Sequence, residues 1–151
     1  QDIIYVGGGN TKSMIAVWKE WGLDLILEEA YQEGIIMSGV SAGAICWFKK
    51  GITDSWADHQ ATIDCLGFVE GICCPHYDEE PERIPYVKDI LTSKKIDSCL
   101  AIEGYTALHL IDDKPAYSVS FGDKETNCHH VVYTNNIVDH TSIKNTVKIN
   151  L

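Results

Sequence analysis

Ile35-Ile36-Met37-Ser38-Gly39-Val40-Ser41-Ala42-Gly43 joins a short apolar run to a serine held between glycines. The apolar residues read as a strand. The last five residues are a literal G-x-S-x-G, the pattern that turns a chain sharply from strand into helix and leaves the serine standing clear of the backbone. Small residues on either side let strand and helix approach closely. The N–H of Ala42 then faces any oxyanion formed at the serine, and the start of a helix adds partial positive charge there. The spacing predicts a helix from Ala42 through Phe48, closed by Lys49, Lys50 and Gly51.

Upstream, Ile3 to Val6 is another apolar run and reads as a buried parallel strand. It ends in Gly7-Gly8-Gly9-Asn10-Thr11. Asn10 or Thr11 can cap the next helix, whose broad apolar face comprises Met14, Ile15, Val17, Trp18 and Trp21. A second helix is expected from about Asp24 to Gly34. The glycine run lacks the G-K-S/T of a P-loop and is no full G-x-G-x-x-G, so a phosphate cradle is disfavoured. Its N–H groups can face the serine, because loops leaving the C-terminal ends of strands share one rim of an α/β sheet.

Downstream, residues 52 to 71 show no regular pattern. Gly71 to Cys74 reads as a strand ending at Pro75, and Pro81 can open a helix with Ile84, Val87, Ile90 and Leu91 as its buried stripe. Cys99 to Ile102, Ala107 to Ile111 and Ala116 to Phe121 read as strands, with a turn at Asp112-Asp113-Lys114-Pro115. Val131 to Thr134 and Thr146 to Ile149 are weaker strand candidates. Strands alternating with helices and then giving way to hairpins indicate an α/β sheet with antiparallel additions, in one domain over residues 1–151.

Composition narrows the function classes. The formal net charge of −10 opposes contact with phosphate backbones, so no nucleic-acid partner is expected. No apolar run has membrane-spanning length, and residues 1–6 lack the basic and apolar regions of a signal peptide, so a cytoplasmic protein is expected. Six cysteines read better as buried thiols in a reducing compartment than as a disulfide framework, since a chain of 151 residues can bury a core without staples. Adjacent Cys73 and Cys74 are poor zinc spacing, so no metal is expected.

A serine nucleophile needs a base and the base an orienting acid. His76 follows strand 72–74 through Pro75 and is the best placed of six histidines; Glu103 follows strand 99–102. Asp54, Asp78, Asp97 and Asp112 compete as acids.

These segments together resemble peptidase family S51, the peptidase E and cyanophycinase group. The resemblance is carried by Tyr5-Val6-Gly7-Gly8-Gly9-Asn10-Thr11, Gly39-Val40-Ser41-Ala42-Gly43-Ala44, Thr53-Asp54-Ser55, Cys74-Pro75-His76-Tyr77-Asp78 and Ala101-Ile102-Glu103-Gly104, in that order. It implies a flavodoxin-like core similar to class I glutamine amidotransferases, a three-layer sandwich with a parallel central sheet and C-terminal hairpins. It implies a serine-type peptidase of short peptides with an N-terminal aspartate, needing no cofactor. The triad would be Ser41, His76 and Glu103, with Gly8 and Ala42 as the oxyanion hole and Asn10, Asp54 and Arg83 as substrate-binding residues. Arg83, the one arginine of the chain, would pair with the substrate carboxylate.

The family domain usually begins two βα units before the G-G-G-N-T strand, so about 60 residues, at roughly 30 per unit, are expected to precede this segment. Without them the sheet has an apolar edge near Ile3 to Val6, for which a second chain is the expected cover. Two other readings compete. One is a non-catalytic or truncated relative acting as a binding domain. The other is an α/β-hydrolase-type esterase, in which Asp112 would serve with His129 or His140.

Overall fold

The computed structural model describes residues 1–56 and 58–149. They form two compact units, one up to residue 72 and one from residue 73 onward.

In the first unit, β1 (Ile3–Val6) pairs in parallel with β2 (Ile36–Gly39), Ile3 opposite Ile36 and Val6 opposite Gly39. Helices α1 (Thr11–Glu20) and α2 (Leu23–Gln32) connect them. Asn10 caps α1 by accepting the N–H of Ser13 at 2.9 Å. Gly22 turns the chain between the helices at φ 69°, a left-handed conformation that suits glycine. Alternate residues of the strands face opposite ways. Ile4, Val6 and Met37 pack on a core of Ile15, Leu27, Cys46, Trp47 and Cys65. Ile3, Tyr5 and Ile36, on the other face, are exposed at 58%, 65% and 59%. The strand expected to be buried is therefore buried on one side only, the side that faces this core.

The elbow helix is shorter than its pattern suggests. α3 covers only Ala42–Ile45, and β3 (Phe48–Thr53) follows, pairing antiparallel with β4 (Ala61–Asp64). Lys49 and Lys50 thus lie in a strand, ion-paired with Glu70 and Asp64, rather than at a helix end. Gly51 in β3 is needed where Ile45 presses on the strand: a Cβ there would come within 2.7 Å of Ile45 Cδ1. Trp47 donates its indole N–H to Ser38 O at 3.3 Å and stacks near Phe68, so the turn after α3 is anchored.

β5 (Val69–Cys74) runs across the boundary between the units. In the second unit its last residues pair in parallel with β6 (Ser98–Ile102), Cys73 opposite Leu100. Between them α4 (Arg83–Thr92) buries Val87, Ile90 and Leu91 and packs on β9 (Cys128–Thr134) and β10 (Ile137–Ser142). Ile84, expected on that stripe, is 45% exposed. β9 pairs antiparallel with both β6 and β10. β7 (Thr106–Ile111) and β8 (Lys114–Phe121) form a second hairpin, and β11 (Asn145–Ile149) adds to β8 in parallel. Both hairpins turn on two residues with positive φ: Asp112 and Asp113 at 49° and 62°, Asn135 and Asn136 at 52° and 63°. Such pairs match the right-handed twist of the strands they join.

The architecture is mixed α/β, with parallel pairs β1–β2 and β5–β6 and antiparallel hairpins toward the C-terminus. All six cysteines are buried, and among the described residues none is in a disulfide. No helix among the described residues is long and apolar enough to cross a membrane.

Candidate active site

Ser41 ends the β2 turn at φ 57°, ψ −118°, a conformation costly for a residue with a side chain. The surrounding glycines make it possible. A Cβ on Gly39 would lie 2.7 Å from Val6 O, and one on Gly43 would lie 2.7 Å from Gly7 O. Val40 donates its N–H to Val6 O at 3.1 Å, and Gly43 its N–H to Val40 O at 2.9 Å. The elbow is thus wedged against the end of β1. Gly8 is the part of the glycine loop that meets the serine: a Cβ there would stand 3.3 Å from Ser41 Cβ and 3.8 Å from Oγ. Ala42, the other expected oxyanion donor, begins α3 directly after Ser41 and is buried.

Asn10 is engaged at both ends of its amide. Oδ1 caps α1, and Nδ2 donates to Ser55 O at 3.1 Å. Lys12 N–H reaches Ser55 Oγ at 3.3 Å, and Thr53 Oγ1 lies 2.8 Å from Ser55 Oγ. The Thr53-Asp54-Ser55 triplet is therefore strapped to the glycine loop by its two hydroxyl residues, and Asp54 between them is exposed.

In the second unit, His76 also has a left-handed backbone, φ 53°. Its Nδ1 is 2.7 Å from Glu79 Oε2. Glu103, the acid expected on His76, is turned elsewhere: Oε2 accepts the Asn127 N–H at 2.7 Å and Oε1 faces His129 Nε2 at 3.1 Å. Asp78 accepts the Gly104 N–H at 2.7 Å and pairs with Lys124 at 3.2 Å. Partial burial opposes its ionisation, but the Gly104 N–H, Lys124 and its own backbone N–H outweigh that and hold its carboxyl below the usual range. Tyr77 is buried, and its hydroxyl meets His140 Nε2 at 2.8 Å; burial, then the nearby Cys99, Cys74 and Glu103, push that phenol up. His140 thus pairs with Tyr77 and His129 with Glu103, while Asp112 sits in the β7–β8 turn.

Arg83 differs from its expected role. Its side chain is 3% exposed, and Nε donates to Glu80 Oε2 at 2.7 Å. Burial alone would lower its pKa, but Glu80 and the Cys74 thiol more than offset that. The guanidinium is spent on an internal ion pair, not presented at the surface. A Glu three residues before an Arg at a helix start was the signal for this pair.

Glu79 is the residue near this chemistry to which the sequence reading gave no role. Among the described residues no cluster of His, Cys, Asp and Glu is arranged to hold a metal ion.

The sequence profile of Peptidase family S51 matches residues 1–117, which include both the Ser41 elbow and the His76 turn. The chain belongs to peptidase family S51. It is 48% identical over 119 residues to the uncharacterized peptidase YgaJ of Bacillus subtilis, covering 79% of this chain and 51% of that protein. It is 31% identical over 86 residues to the uncharacterized peptidase Lin0382 of Listeria innocua, covering 53% of this chain and 41% of that one. The chain thus spans about half the length of the curated relatives it matches.

Proposed function

We propose that this S51 chain carries the catalytic residues of a serine peptidase that hydrolyses short peptides by acyl transfer, with Ser41 as nucleophile and His76 as base. The observation that carries the reading is the Ser41 backbone, held at φ 57°, ψ −118° between two glycines that admit no side chain, with Gly8 against it. A strained serine on a strand-to-helix turn is the geometry of a G-x-S-x-G nucleophile elbow, which holds the hydroxyl clear of the backbone for attack on a carbonyl. His76 would take the Ser41 proton as Oγ attacks the peptide carbonyl. A glutamate on the far imidazole nitrogen would stabilise the cation, and water would release the acyl-enzyme. The N–H groups of Gly8 and Ala42 would hold the oxyanion.

A flavodoxin-like, three-layer core in the whole protein is part of this reading, as is a cytoplasmic setting, which suits six buried thiols. The open apolar face of Ile3, Tyr5 and Ile36 supports a further part of it, that another polypeptide covers β1 and β2. A well-behaved monomer of this segment in sedimentation would count against that cover.

The preference for an N-terminal aspartate follows from the resemblance. It now needs a cation other than Arg83, which is buried against Glu80.

The test is labelling with a fluorophosphonate probe. Wild type is expected to be labelled and Ser41→Ala not, whereas a binding domain would give no labelling in either. His76→Ala should abolish labelling and His140→Ala should not; the reverse would favour an α/β-hydrolase. Cleavage of Asp-Xaa in preference to Ala-Xaa dipeptides tests the aspartate preference, and equal rates would remove it.

A further inference from the structure

Glu103 lies one residue beyond the end of β6, so the pleat of the sheet no longer directs its side chain. Asn127 and His129 direct it instead. Glu103 and Asn127 bond each other twice. Glu103 N–H donates to Asn127 O at 3.2 Å, and Asn127 N–H donates to Glu103 Oε2 at 2.7 Å. Asn127 is itself locked, because its Oδ1 accepts the hydroxyl of buried Ser118 at 2.7 Å and the Cys128 N–H at 2.9 Å. The other carboxyl oxygen, Oε1, faces His129 Nε2 at 3.1 Å. His129 is steadied in turn by Ser142 Oγ, 3.3 Å from its Nδ1, and by the Tyr77 ring, whose centroid is 6.5 Å away.

A carboxyl held through one oxygen can still rotate about that bond, and contacts to both oxygens fix its plane. Each oxygen carries two lone pairs, so a further donor can still be met. The turn that carries His76 runs alongside. Tyr77 N–H donates to Ile102 O at 3.0 Å and Gly104 N–H to Asp78 Oδ1 at 2.7 Å, so residue 103 is bracketed by the two residues that follow His76. The contact of His76 with Glu79 joins side chains 31% and 38% exposed, against 15% and 22% for His129 with Glu103. The more exposed contact competes with water and yields first. The His76 ring is thus the member that can turn toward Glu103, and Glu103 is the fixed one.

We propose that Asn127 and His129 are positioning residues that hold the Glu103 carboxyl in place as the acid for His76. The inference rests on the reading above, with Glu103 as the glutamate on the His76 imidazole. Both residues lie beyond residue 117, where the family match ends, so no family motif assigns them this part.

The experiment uses full-length protein and two readouts: the rate at which a fluorophosphonate labels Ser41, and amide hydrogen exchange by NMR. His129→Ala is expected to slow labelling by about 10-fold or more, the effect of a misplaced group behind the chemistry. It should also speed exchange of the Asn127 N–H, which donates to Glu103, while the Val131 amide in the β6–β9 ladder keeps its wild-type rate. His129→Gln puts a side-chain N–H donor back and should recover most of both losses. His130→Ala, next along β9 and on its other face, should change neither. The proposal is overturned if His129→Ala keeps either wild-type rate, if it loses Val131 protection equally, or if His129→Gln is as impaired as His129→Ala. Failure of wild type to react with the probe would sink the peptidase reading instead, and the Asn127 exchange would still decide whether His129 holds Glu103.

Discussion

Gly43 lies so close beneath the end of β1 that a Cβ on it would fall 2.5 Å from the carbonyl carbon of Val6. The obstacle is backbone on both sides, so neither partner can swing away as a flexible side chain would. Gly43→Ala is therefore expected to destabilise the first unit by about 3 kcal/mol, the upper part of the overpacking range. Gly7→Ala, where a Cβ meets nothing within 4 Å, should cost far less. Urea denaturation midpoints of the two variants check this, and equal midpoints would contradict the packing argument.

Asn10 does two jobs with one amide. It caps α1 through Ser13 N–H and holds the Thr53–Ser55 segment through Ser55 O. Asn10→Ala should lower stability by about 1–2 kcal/mol, the cost of a lost helix cap plus a strap. Asn10→Asp keeps the acceptor and loses the donor. It should fall between the two in thermal melts, and an Asp variant as weak as Ala would mean that the cap contributes little.

The elbow and the glycine loop were legible because their constraint is steric and local: a glycine that touches backbone has no substitute, and the pattern records it. The β7–β8 turn was legible for another reason, that Asp tolerates the left-handed backbone of Asp112 and Asp113, although Lys114 and Pro115, read as part of the turn, belong to β8. The similar signal at Asn135-Asn136 was missed because the β10 residues Ile137 to Ser142 are mostly exposed and polar and carry no apolar alternation. The run Ile45-Cys46-Trp47-Phe48 is apolar throughout, so periodicity could not tell the end of α3 from the start of β3.

The contact between Glu79 and His76 was hidden for a different reason. Glu79 sits in a run of acidic residues that reads as a solvated loop, and only the space at Gly104, far along the chain, gives its carboxyl a fixed place. Arg83, expected to meet a substrate carboxylate, is instead buried, and Glu80 among its acidic neighbours is what allows that burial. Hydropathy records charge and not pairing.

Asp78 should make stability depend on pH in a predictable direction. Its folded pKa is lowered by the Gly104 N–H and by Lys124 against the opposing effect of burial, while the unfolded value is about 3.9. The folded state therefore binds its proton less readily than the unfolded chain. The stabilisation is fully present above the unfolded value and is lost as pH falls through the folded one. Asp78→Asn should lower stability at pH 7, with the gap from wild type shrinking below about pH 4. Urea titrations at several pH values check this, and a gap that widens on acidification would show that the sign is wrong.

The thiols give a test of the buried interior that does not depend on activity. Burial, reinforced by Asp64 beside Cys65 and by Glu103 beside Cys128, pushes both thiols up to about 12. Cys74 is likewise raised by burial to about 12 even though Arg83 opposes the shift. Burial, with the neighbouring thiol of Cys65, raises Cys46 further, and fully buried Cys99 is also raised strongly. Since the thiolate is the reacting form, these five should be nearly inert to a disulfide reagent at pH 8 in the native state. In denaturant all six cysteines should react within minutes, as exposed thiols with a pKa near 8.5 do. Mass spectrometry after pulsed alkylation would identify any exception by position. Rapid native labelling at Cys46 or Cys99 would mean that the interior opens far more readily than its packing implies, because a thiol can react there only after its unit has come apart.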